Sequence, residues 1–299
     1  MEAKLCLNIK SKLGEGAIWY APRQKLYWVD IEGMTLNVFD PLNLKNIAYP
    51  VGKRIGTVVP VDDDTVLIAL EDGMATVDLI DASIKYHVYT DIHHEHSRRF
   101  NDGKCDPNGR FWVGTHSMAG IRGVSSLYCI NSGFTLDEKI TGVSISNGIA
   151  WSIDHKIMYY IDTPTGKVVQ FNFNKENAEI ANPKTIVAIP EEMGYPDGMT
   201  IDSEGMLWIA LWDGFAVAQY DPRTGELLQK VAVPAPKVTS CAFGGANLDT
   251  LFITTASVEM TENELKQYPL SGSIFSAKVG VTGVTSFNFK FGQDNKMNY

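Results

Sequence analysis

Short apolar runs rich in β-branched and aromatic residues recur along this chain, each set off by a polar turn. The clearest are Leu26-Tyr-Trp-Val-Asp30, Arg110-Phe-Trp-Val-Gly114, Ile157-Met-Tyr-Tyr-Ile-Asp162 and Met206-Leu-Trp-Ile-Ala210. Val66-Leu-Ile-Ala-Leu70 and Leu251-Phe-Ile-Thr-Thr255 are weaker copies. Such runs are too short for helices and have the composition of half- or fully buried strands. The turns ahead of them, such as Asp106-Pro-Asn-Gly109 and Asp202-Ser-Glu-Gly205, are built of residues that bend a chain. A further strand precedes each turn. In three copies it opens with an oxygen-bearing side chain just before a glycine: Glu15-Gly16, Asn147-Gly148 and Asp197-Gly198. Asp102-Gly103 reads as the head of a fourth.

The units start near residues 15, 56, 102, 147, 197 and 240. A steady period of about 40–50 residues with several short strands per unit predicts a β-propeller. Third and fourth strands follow in each unit, as in Ala216-Val-Ala-Gln-Tyr220, a turn, and Leu227 to Val233. The expected fold is therefore all-β: one six-bladed propeller over residues 1–299, with four strands per blade. Lys4 to Ile9 alternates like a strand but lies ahead of the first unit, and the last unit carries a long tail from 240 to 299. The N-terminal strand is expected to complete the last blade and close the ring. The repeated Trp19, Trp28, Trp112, Trp151, Tyr159 and Trp208 are expected in the core between blades.

Composition narrows the function. The chain carries a formal charge of −9 and no Lys/Arg run, which argues against nucleic acid as a partner. No stretch reaches the roughly 18 apolar residues of a membrane helix, and Met1-Glu-Ala-Lys4 has no leader-like character. Cys6, Cys105, Cys129 and Cys241 are widely spaced and read as reduced, mostly buried thiols. The expectation is a cytoplasmic protein with no membrane or nucleic-acid partner, monomeric or weakly self-associating.

The innermost strand of each propeller blade lines the axial channel. Glu15, Asn147 and Asp197 then converge at one rim. Two carboxylates and an amide oxygen form a hard-ligand set, suited to Ca²⁺, Mg²⁺ or Mn²⁺, and they leave coordination positions for water and substrate. The other reading is that each is an ordinary turn residue before glycine; the shared register favours the ring. Arg99 and Asn101 fall beside the same rim and suit the hydroxyls and ring oxygen of a small polar substrate. Asp102 is either a partner behind the ligands or a turn residue. His116 follows a strand and is expected in the core or behind the ligands. His93-His94-Glu95-His96 is expected to be a solvated loop between blades, with a role as part of a lid left open. Asp30 and Asp162 end equivalent strands and are expected to brace blade turns.

The chain resembles the regucalcin / gluconolactonase / luciferin-regenerating-enzyme (senescence marker protein) family. The segments that carry the resemblance are Gly14-Glu-Gly16, Arg99-Phe-Asn-Asp-Gly-Lys104 with Asp106-Pro107, Ser146-Asn-Gly148 through Trp151 to Asp162, Pro196-Asp-Gly198, and Thr239-Ser240 through Phe243-Gly-Gly245. They span nearly the whole chain and occur in order. The resemblance implies a six-bladed propeller with one divalent metal ion in the channel, calcium foremost, with zinc, magnesium, manganese and iron found among members. By matching positions, Glu15, Asn147 and Asp197 resemble the family's metal ligands, and Arg99 and Asn101 its substrate-binding pair. The activity implied is hydrolysis of sugar-acid lactones. This chain departs after Gly114-Thr115: His116-Ser-Met-Ala-Gly120 lacks the carboxylate that contacts sugar in many members.

The resulting expectation is a metal-dependent, gluconolactonase-like lactonase. The cation polarises the lactone carbonyl, water attacks, and Asp197 or an acidified metal-bound water supplies the base function. Two alternatives stand beside it. One is an organophosphate or phosphoester hydrolase of the same propeller type. The other is a non-enzymatic calcium-binding propeller.

Overall fold

A computed structural model describes residues 1–292 of the chain. Six four-stranded antiparallel sheets follow one another around a ring. The first five are consecutive meanders: Gly14–Tyr20 to Lys45–Pro50, Ile55–Pro60 to Ile84–Tyr89, Arg98–Cys105 to Leu136–Val143, Ser146–Trp151 to Glu179–Ala188, and Tyr195–Ile201 to Leu227–Ala232. The sixth has the order Val238–Gly244, Thr250–Thr255, Ile274–Lys278 and then Lys4–Leu7. The N-terminal strand thus forms the outer edge of the last blade, as expected, with Lys4 opposite Ser276 and Leu5 opposite Phe275.

Each of the six blade-to-blade interfaces holds its own apolar cluster. Val29 and Leu36 of the first blade pack against Val58 and Ile68 of the second, while Trp19 and Phe39 pack against Phe252 and Ile274 of the sixth. All six repeated aromatic residues are buried; Trp28, Trp112 and Trp208 are fully so. No blade has a core of its own, so the ring is one cooperative unit.

The second strand of two blades is anchored by a buried aspartate in the preceding turn. Asp202 accepts from the backbone N–H groups of Glu204 and Met206, from Trp208 Nε1 at 2.8 Å and from Gln219 Nε2 at 2.8 Å. Asp106 does the same for Asn108, Arg110 and Trp112 Nε1. The turn needs a residue at positive φ, supplied by Gly205 and Gly109, both at +84°.

One α-helix lies among the described residues, Glu262–Gln267, inside the long last unit. The sequence pattern did not single it out. Thr261 and Glu264 form a capping box at its start, which stabilises so short a segment. The four cysteines are free, and all but Cys6 are buried.

Candidate active site

All six innermost strands carry an irregularity in their pairing near their N-terminal ends. Such bulges re-aim side chains. In the third, fourth and fifth blades the residues left out of the ladder are Asn101-Asp102, Asn147-Gly148 and Asp197-Gly198. The register therefore aligns Asn101, and not Asp102, with Asn147 and Asp197; in the first blade the slip falls at Gly16-Ala17, and Glu15 matches them by its place three residues ahead of the paired Ile18. Asp102 takes the place that glycine holds in the other three. The alignment of Asp102-Gly103 with the other X-Gly pairs is off by one residue, because a shared glycine masked the shift.

The glycines in this register are not turn residues. A Cβ on Gly148 would lie 2.7 Å from the carbonyl oxygen of Asp197, and one on Gly198 would lie 2.8 Å from that of Thr239. Each lets the next blade's inner strand come into contact, which draws the ring tight around its axis.

Glu15, Asn101, Asn147 and Asp197 are each about 95 % buried and line one cavity of about 700 Å³ at the channel mouth. Arg99 and His116 line it too. Asp30 sets the approach to Glu15 by accepting from the backbone of Lys12 and Leu13, both at 2.9 Å. Asp162 does the same ahead of Asn147 through the N–H groups of Ser144 and Ile145. Both aspartates thus brace the turns as the sequence suggested.

The amides are fixed. Asn147 Nδ2 donates to Thr163 Oγ1 at 2.7 Å, and Thr163 Oγ1 donates onward to the Pro196 carbonyl at 2.8 Å. This turns Asn147 Oδ1 toward Asn101, whose Nδ2 donates to it at 3.0 Å and to the Ser146 carbonyl at 2.8 Å. Arg99 Nη1 donates to Asn101 Oδ1 at 2.5 Å and to the Phe100 carbonyl at 3.0 Å. Thr163 went unnoticed in the sequence because it lies outside the repeated register.

The carboxylates are under electrostatic stress. Burial, reinforced by the charge of Asp102, pushes Glu15 up to about 8. Burial, then Glu15 and Asp102, push Asp197 well above the usual carboxylate range. Arg99 offsets only part of this. Asp197 Oδ1 and Asp102 Oδ2 are buried without a hydrogen-bond partner. Buried oxygens of this kind are costly unless a charge meets them. Among the described residues no three His, Cys, Asp or Glu side chains form a metal-ligating group; the convergent set is two carboxylates with an amide. Its chemistry fits a hard divalent cation.

His116 borders the cavity and is pushed down to about 4, first by burial and then by the Arg99 charge. It is neutral near pH 7. The rim also holds groups that the repeat did not reveal. Arg54 donates to Glu32 at 2.8 Å and lies 3.5 Å from Glu71. Arg122, Tyr195 and Trp212 stand around the opening. His94, Glu95 and His96 lie exposed in the connection between the second and third blades, with Glu95 paired to Arg98.

Comparison with known proteins agrees with this architecture. A model of the SMP-30/Gluconolactonase/LRE-like region matches residues 13–257. The chain is 39 % identical over 283 residues to a candidate sugar lactone lactonase, YvrE, of Bacillus subtilis, covering 95 % of this chain and 97 % of that one. It is 34 % identical over 292 residues to regucalcin of Danio rerio, covering 97 % and 98 %. Among solved structures, a luciferin-regenerating enzyme superposes with a TM-score of 0.88 at 31 % identity, covering 94 % of this chain and 96 % of that one.

Proposed function

The chain belongs to the SMP-30/gluconolactonase/LRE-like family, and on that premise we propose that it is a metal-dependent hydrolase of sugar-acid lactones. The observation that carries the reading is the pair of buried, mutually repelling carboxylates, Glu15 and Asp197, facing a polar cavity beside Asn101, Asn147 and Arg99. A scaffold has no use for such a destabilised set. Glu15, Asn147 and Asp197 would hold one divalent ion, with calcium the first candidate. When bound, the ion supplies Lewis-acid polarisation of the substrate carbonyl.

The chain's own groups do the rest. Arg99 and Asn101 hold the lactone by its hydroxyls and ring oxygen; because both are already tethered, little side-chain freedom is lost on binding. Asp197 presents one carboxylate oxygen to a water and takes its proton as the water oxygen bonds to the acyl carbon. The acyl–oxygen bond of the ring then breaks, and the ring oxygen leaves as a hydroxyl on receiving the proton that Asp197 took. The product is a hydroxy acid, which ionises and acidifies the medium. His116, neutral and beside Arg99, shapes the sugar-facing wall in place of the missing carboxylate.

The test is elemental analysis of the purified protein followed by a pH-drop assay on aldonolactones, with and without chelator. A cation near one per chain and chelator-sensitive lactone hydrolysis are expected. Phosphotriester hydrolysis without lactone hydrolysis would move the protein to the organophosphatase reading. Tight cation binding with neither activity would leave a binding module.

A further inference from the structure

A second cavity, of about 220 Å³, lies at the other end of the axial channel. Its walls come from the C-terminal halves of the innermost strands, at Trp19, Cys105, Trp151, Ile201 and Phe243. Glu15 and Trp19 are four residues apart on one strand, so the two mouths are separated by about 13 Å at ~3.3 Å per residue. The segment Val284–Phe287 forms part of the wall. That segment is tied across several blades: Ser203 N–H donates to Thr282 at 2.8 Å, Ser286 Oγ to the Trp19 carbonyl at 2.8 Å, and Phe289 N–H to Pro60 at 2.8 Å.

The lining has a definite chemistry. It is mostly apolar and aromatic. Among the described residues that line it are one lysine, Lys104, and one histidine, His155, and no Asp or Glu, in a chain of net charge −9; the Asp102 carboxyl acts on Lys104 from behind the wall. Lys104 takes the place that Ile18, Ala150 and Thr200 hold on the other inner strands. A charged residue there is a departure from the repeat. Its ammonium has three donors, and the hydrogen bond it makes goes to the Met199 carbonyl. The indole N–H groups of Trp19 and Trp151 are buried in this wall without acceptors. Both side chains are more than nine-tenths buried. The site thus offers one cation, Lys104, and its walls are otherwise flat and apolar. An apolar cavity of about 150 Å³ accommodates benzene, so this one has room for one or two fused rings.

We propose that this far mouth is a binding site for a small aromatic carboxylate, its ring between Trp19, Trp151 and Phe243 and its carboxylate facing Lys104. The site is separate from the proposed lactonase centre and does not depend on it.

Indole-3-carboxylate is the probe, titrated into the full-length protein by calorimetry and by saturation-transfer NMR, with its methyl ester and indole as controls. The acid is expected to bind at least tenfold more tightly than the ester. Saturating gluconate, directed to the opposite mouth, is expected to leave binding unchanged. Ala242→Leu, which fills the cavity, and Val284→Asp, which puts a like charge at its exposed edge, are each expected to weaken the acid tenfold or more. Val284→Asp lies at the surface and guards against a folding defect in the first variant. Equal binding of acid and ester, displacement by gluconate, or unchanged affinity in both variants would overturn the proposal, as would no detectable saturation transfer at millimolar probe.

Discussion

Stripping the protein of divalent cations should make its stability fall as pH rises, and Glu15 sets the size of the effect. Its carboxyl titrates at about 8 in the folded chain against an ordinary 4.5, chiefly because it is buried. Between these two values the folded chain holds a proton that the unfolded chain has released. Raising the pH through this window therefore removes stability, and the loss levels off above the folded value. At about 1.36 kcal/mol per pH unit of difference, the full loss is roughly 5 kcal/mol. That is a large part of the 5–15 kcal/mol by which domains are stable. Asp197 acts in the same direction. The assay is urea unfolding of chelated protein at pH 5.5 and 8.5, for the wild type and for Glu15→Gln. The wild type should lose roughly 3–5 kcal/mol between these points, and Glu15→Gln much less. At pH 8.5 the variant should be the more stable of the two. Added calcium should restore the wild type at pH 8.5 and leave the variant nearly unmoved, because cation binding replaces the proton. A chelated wild type whose stability is flat across this window would refute the reasoning, and so would a variant as steep as its parent.

Other outcomes follow from named contacts. Asp197→Asn should lower lactone turnover by about 10²–10⁴-fold, the range of a lost general base, without lowering stability in chelator; near-native turnover in a cation-loaded variant excludes the base role. Asn101→Ala leaves Asn147 Oδ1 and the Arg99 guanidinium each short of a partner; a rise in KM and a weaker cation affinity, measured by calorimetry, are expected together. Asp202→Ala strands the indole N–H of buried Trp208 and the Gln219 amide. It should cost about 3–5 kcal/mol in urea unfolding, as breaking a buried charged network does, with kcat/KM per folded molecule unchanged. His116→Gln should leave the pH–rate profile unmoved between pH 6 and 9, since His116 titrates near 4; a lost limb in that range would make it a proton carrier.

The ring was legible because the same strand chemistry had to be written six times. Each blade must bury both faces against its neighbours, so Trp112, Tyr159 and Trp208 recur at matching places, and closure by Lys4–Leu7 follows from a strand with no unit of its own. The ring positions of Glu15, Asn147 and Asp197 were legible for the same reason. What repetition does not enforce was harder to read. The pairing slip that puts Asn101 in register with Asn147 and Asp197 is hidden by the glycine after Asp102. Thr163, Glu32, Arg54 and Arg122 sit near the ring but off its register, where sequence spacing carries no message. The capping box at Thr261 is a local signal overshadowed by the strand pattern on either side.

The seam of the sixth blade joins Lys4–Leu7 to Ile274–Lys278, across almost the whole length of the polypeptide. A chain emerging from the ribosome can lay down five blades in order, but the annulus stays open until residues beyond 270 are free to meet the first few. Until then the carboxylates at the mouth face bulk water and are not crowded together. Their mutual repulsion is met only at the final docking event, which makes circularisation the step at which an available cation changes the outcome. Under the proposed function, the ion would then act as a rivet for the finished torus.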